Sequence, residues 1–201
     1  MRHPRYWSPK NIAALERAQS YYDLRLIAQD VMSRMHPQLM LVSGPISTGG
    51  HNDIKKNLEE FHELIKHLEI MLELKGIFFG VFDQTPFEDA IKTIREKRQK
   101  AGEFIHYDWR ILHEFYGVLF GLGQITSMVF LPGWQESTGA KWEFEIARRR
   151  MMNRFILPND WKNNMPLSRG LEYLYKHAPE YPDGYFSKDS RGVFTIRKET
   201  A

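Results

Sequence analysis

Apolar positions follow two rhythms along this chain. Short, mostly apolar runs of strand length occur at Leu39-Met-Leu-Val42, Ile77 to Phe82, Gln124 to Leu131 and Arg154 to Leu157. Between them the spacing is helical. Leu58, Phe61, Leu64, Ile65, Leu68 and Leu72 share one face of a helix that ends at Lys75-Gly76,. Phe87 to Lys100 reads as a charged amphipathic helix, and Lys141 to Met152 as another. Asp108 to Leu122 reads as a helix weakened by Gly117 and Gly121,. Upstream, Ile12, Leu15, Tyr22, Leu26, Ala28 and Val31 predict helix over residues 11–36, stopped by Pro37,. Gly102 to Tyr107 has neither rhythm.

Strands alternating with helices predict βαβ units and a parallel sheet. The expected fold is α/β: a flavodoxin-like or Rossmann-like doubly wound sheet of about five strands, with helices on both faces. An N-terminal helical extension (1–37) precedes the α/β domain (38–158). A C-terminal extension (159–201), rich in Pro, Asn, Tyr and charge, holds one expected helix, Ser168 to Lys176, and a loose tail.

Composition narrows the functional classes. A chain of 201 residues with 42% hydrophobic positions can bury a core,. The formal charge of +3, with acids and bases interspersed, is too mild to argue for a nucleic-acid partner; it would suit a phosphorylated small molecule equally well, or mean nothing,. With no cysteine there is no disulfide, thiol nucleophile or cysteine zinc site,. No apolar run reaches the roughly 20 residues of a membrane helix, and the start of the chain lacks a signal-peptide core. The expectation is a cytoplasmic protein without a membrane partner. The eight histidines have no metal-ligand spacing, so no metal is expected,.

The candidate chemistry gathers at strand ends, where open α/β sheets bind ligands. After the first strand comes Ser43-Gly-Pro-Ile-Ser-Thr-Gly-Gly50 and then a helix. Its glycines would let backbone approach a phosphate or sugar, and the helix N-terminus would offer free N–H groups. A plain flexible connection explains the segment as well. The third strand runs into Leu131-Pro-Gly-Trp134, then Ser137-Thr-Gly-Ala140 and a helix bearing Glu143 and Glu145. Two positions apart on a helix, only one of these acids can face a cleft. Arg148-Arg-Arg150 suits the C-terminal dipole of that helix. Asp83 and Gln84 leave the second strand at the same sheet edge, as ligand contacts or as a turn.

These segments resemble the nucleoside 2-deoxyribosyltransferase-like superfamily, which includes nucleoside 5′-monophosphate N-glycosidases. The resemblance rests on Gly44-Pro45-Ile46 and on Leu131-Pro-Gly-Trp134 through Ser137-Thr-Gly139-Ala140 to Glu143, and covers roughly residues 38 to 158. It implies that Glu143, in Glu143-Phe-Glu-Ile-Ala147, is the carboxylate that attacks or stabilises the anomeric carbon. It implies Asp108 as proton donor to the departing base, although an N-cap before Trp109 explains Asp108 equally. Ser137 would bind a 5′-phosphate, with Gly139 beside it. Gly44, Pro45, Ile46, Ser47, Gly49 and Gly50 would line the phosphate or sugar. Family members often carry Tyr on the first strand, which here reads Leu39-Met-Leu-Val42. The implied activity is hydrolysis or transfer at the N-glycosidic bond of a nucleoside or nucleotide, without a cofactor, in a homo-oligomer. The alternatives are a non-catalytic nucleotide-binding module and a structural oligomer.

Overall fold

All five residues of β1 (Leu39–Ser43) are buried, the pattern of a strand covered on both faces,. The computed structural model describes residues 6–46, 51, 53–74, 79–157, 159, 161–164, 184–188 and 194–198. In it, β1 pairs in parallel with β2 (Gly80–Phe82) and with β3 (Ile125–Phe130). β4 (Asn153–Ile156) joins β3, also in parallel. The order β2-β1-β3-β4 makes an α/β sheet of four parallel strands. This is the flavodoxin-like order short of its last strand.

The expected sheet of about five strands is thus corrected to four among the described residues. Gly102–Tyr107, the one unassigned segment, adds none. Helix α4 (Glu88–Lys100) ends there in a Schellman motif. Gly102, at φ 74°, donates to the Gln99 carbonyl, and the Glu103 N–H reaches back to Arg98,. A separate antiparallel pair, β5 (Gly184–Lys188) and β6 (Phe194–Lys198), occupies the C-terminal extension where a loose tail was expected. The expected helix Ser168 to Lys176 lies outside the described residues.

Alternation along β1 divides the core in two. Leu39 and Leu41 face one side of the sheet, with α2 (Tyr21–Met32), α4 and α6 (Thr138–Arg149) packed over them. Met40 and Val42 face the other, against Phe61, Leu64 and Leu68 of α3 (Ile54–Leu74) and Trp161 of α7 (Trp161–Asn164). The register between β1 and β3 slips between Leu39 and Met40, whose partners are Ile125 and Ser127. The extra residue on β3 is a bulge, and it lets Ile125 and Met128 reach the same core,.

The helix expected over residues 11–36 is two helices, α1 (Pro9–Arg17) and α2. Ser20 breaks it: its hydroxyl accepts from Asp23 N–H while Asp23 accepts from Ser20 N–H, a capping box,. Ser8 and Asn11 make the same device at α1. Tyr21, Leu24, Ala28, Val31 and Met32 of α2 are buried in the core that covers the sheet. The segment read as a helix over Asp108 to Leu122 opens with a π-helix, Ile111–Tyr116, and continues as α5 (Gly117–Gly121). Gly117 N–H closes the wide turn on the Leu112 carbonyl, and a Cβ at Gly117 would lie 2.9 Å from that oxygen. No described helix is long and apolar enough to cross a membrane.

Candidate functional site

A cleft open to solvent lies at the C-terminal ends of β1 and β2. Register places it. Ser43, last residue of β1, pairs with Phe130 at the end of β3. The chain leaving β3 turns at Pro132-Gly133, with Gly133 at φ 77°. A short 3-10 turn, Trp134–Glu136, then leads into α6. Ser137 caps α6, its hydroxyl accepting from Ala140 N–H at 3.3 Å. Helix α6 thus begins beside β1 and turns Glu143, one and a half turns in, toward Ser43.

Glu143 is 8% exposed. Ser43 Oγ donates to its Oε2 at 2.5 Å, the one hydrogen bond to this carboxylate among the described residues. Burial pushes the Glu143 carboxyl up to about 7; the Ser43 hydrogen bond opposes this and the Glu88 charge adds to it,. Glu145, two positions on, points to solvent and pairs with Arg148 at 2.8 Å. Of the two acids the sequence left open, the structure turns Glu143 into the cleft.

A second carboxylate stands in the cleft, and it is not Asp108. Asp108 is 1% exposed and lies outside the lining. Its Oδ2 accepts from Tyr21 Oη at 2.7 Å and from Arg98 Nε at 2.8 Å, so it ties α2 to α4. The expected proton donor, Asp108, therefore does not line the cleft. The lining carboxylate is Glu88, in the first turn of α4. Burial pushes it up to about 7, which the Arg95 charge opposes and the Asp89 charge reinforces. Ile91 and Arg95 follow at the next turns of the same helix face and also line the cleft,. The Arg95 guanidinium lies 5.9 Å from the centre of the Tyr107 ring. The Tyr107 hydroxyl is pushed up to about 12, first by burial and then by the Glu143 charge.

The remaining expected site residues divide. Gly44, Ile46, Gln84, Ser137 and Gly139 line the cleft. At Gly44 a Cβ would meet Leu131 Cβ at 2.9 Å, so the close approach of the two loops requires glycine,. Pro45 is buried and not part of the lining. Ser47, Gly49 and Gly50 lie outside the described residues. Asp83 makes the turn: its Oδ1 accepts from the Thr85 N–H and hydroxyl. Gln84 is 3% exposed. Its amide donates to the Val42 carbonyl at 2.6 Å, while its Oε1 has no partner among the described residues. An unpaired buried acceptor at a cleft is a place for a ligand donor. Trp134, stacked on Phe144 at 4.5 Å, and Trp142, against Phe120, are packing residues.

Sequence reasoning missed Ser43, Glu88, Arg95 and Tyr107. Only the first had a signal, its place immediately before Gly44-Pro45-Ile46. Apolar walls complete the cleft: Phe61, Ile111, Leu112 and Tyr116. No group of three metal-ligating side chains occurs among the described residues. No family model matches the chain, and comparison with curated proteins and with solved structures finds no match.

Proposed function

We propose that this protein cleaves or transfers at the N-glycosidic bond of a nucleoside or nucleoside 5′-monophosphate. The observation that carries the reading is Glu143: a buried carboxylate with one donor, Ser43, facing a cleft at the sheet's C-terminal edge. As the C1′–N bond breaks, its electron pair leaves with the base and positive charge develops on the sugar. A carboxylate oxygen of Glu143 stabilises that charge or bonds to C1′. Glu88, with a pKa of about 7, holds a proton in a useful fraction of molecules at neutral pH and gives it to the departing base nitrogen,. Water, or a second base in transfer, then attacks C1′ and returns a proton to Glu88. Phe61, Ile91, Ile111 and Leu112 supply an apolar wall for a planar base, and the Gln84 Oε1 accepts from a sugar hydroxyl or base amine. Arg95 and the Ser137 end of α6 favour an anionic 5′ group.

A second reading is a nucleotide-binding module without turnover. The closure of Asp108 by Arg98 and Tyr21 favours it, because one implied catalytic carboxyl is engaged elsewhere. Incubation with a panel of deoxynucleosides and their 5′-monophosphates, with free base quantified by chromatography, separates the two. Free base that disappears in Glu88→Gln and Glu143→Gln supports the enzyme. A rise in melting temperature with a nucleotide, without free base, supports the module. The absence of both responses refutes both readings.

A further inference from the structure

We propose that Ser43 is the positioning residue that favours the anionic form of Glu143 and assigns work to its two oxygens. The inference rests on the reading of Glu143 as the working carboxylate, and it concerns a group that the motif itself does not contain. Ser43 is 1% exposed at the last position of β1, where parallel pairing with Phe130 fixes its backbone. Its hydroxyl therefore has little freedom, and it is spent on Glu143 Oε2 at 2.5 Å. With Oε2 engaged, Oε1 is the oxygen left to face a ligand.

The charges around Glu143 make this hydrogen bond decisive. α4 presents Glu88, whose negative charge disfavours ionisation of Glu143. Arg95 on the same helix lines the cleft too and is its nearby cation. Tyr107 and Tyr116 face the cleft with hydroxyls held neutral by burial. Burial itself disfavours the anion most strongly. Ser43 is the one hydrogen-bond donor to this carboxylate among the described residues, and it favours the charged form. Remove its proton donor and Glu143 becomes a neutral acid at neutral pH, unable to stabilise developing positive charge.

The test titrates Glu143 directly, in full-length protein carrying glutamate labelled at the side-chain carboxyl carbon. Carbon NMR follows the titration, and Glu143→Gln assigns the signal. In the wild type the midpoint should lie at about 7. In Ser43→Ala it should rise by about one pH unit or more, the size of a hydrogen bond to a charged group. Ser43→Thr, which retains the hydroxyl, should restore it. Should the alanine variant fail to fold, Ser43→Cys, nearly isosteric and a weaker donor, must move the midpoint in the same direction. An unchanged midpoint in the folded variant overturns the proposal. A raised midpoint with no free base from any nucleoside leaves the Ser43–Glu143 pairing standing and removes the glycosidic reading. An unchanged midpoint with free base does the reverse.

Discussion

Glu143→Gln should make the protein more stable at alkaline pH while removing its activity. The carboxyl ionises near 4.5 in an unfolded chain and at about 7 in the folded one. A carboxyl whose folded value is raised binds its proton more tightly in the native state. Its contribution to stability is therefore full below pH 4.5 and is lost as pH rises through 7. The interval from 4.5 to about 7, at 1.36 kcal/mol per pH unit, amounts to about 3 kcal/mol. Glutamine carries no proton to lose, so the variant escapes this penalty. The assay is urea unfolding of both proteins at several pH values between 4 and 8.5. Most other titrating groups cancel in the difference, with Glu88 the exception because it is coupled to Glu143. The stability of the variant relative to the wild type should climb by about 3 kcal/mol across this range. A flat difference would mean that Glu143 is not buried as an acid, and the reasoning about its charge would fail.

Asp108→Asn should cost about 3 kcal/mol, because it leaves the Arg98 guanidinium without its buried partner,. Activity per folded molecule should survive, which denaturant titration and base release can separate. Gly44→Ala places a Cβ 2.9 Å from Leu131 Cβ. It should destabilise by about 1–3 kcal/mol and displace Ser43 from Glu143, read as a lower melting temperature and slower base release. Arg95→Gln should weaken a 5′-monophosphate more than the matching nucleoside, measured as the ratio of their KM values.

The strands were legible because burial on both faces leaves little but apolar residues, as in Leu39-Met-Leu-Val42. Their number was less so, since Gly102–Tyr107 is a helix exit whose Schellman contacts involve backbone, which pattern does not reveal. The break between α1 and α2 was written in Ser20 and Asp23, but the apolar spacing runs through it. Glu143 emerged from its motif, and the helix start at Ser137 brings it beside β1. Glu88 could not be singled out: an acid in the first turn of a charged helix is the ordinary complement of the helix dipole. Asp108 was implied by the resemblance, and its structural partners could not be read because they are remote in sequence. Tyr21 is 87 positions away, and only the folded chain brings it within 2.7 Å. Ser43 was hidden for the same reason, with Glu143 lying 100 positions downstream.

The most direct measurement is single-turnover release of free base from a deoxynucleoside 5′-monophosphate, with wild type and Glu143→Gln compared at pH 7.5 after both are shown to be folded. The account predicts release by the wild type and a drop of about a thousandfold or more in the variant, the scale of losing a preorganised charge at a transition state. Equal rates in the two proteins, or no release by the wild type from any nucleoside or nucleotide tried, would contradict it.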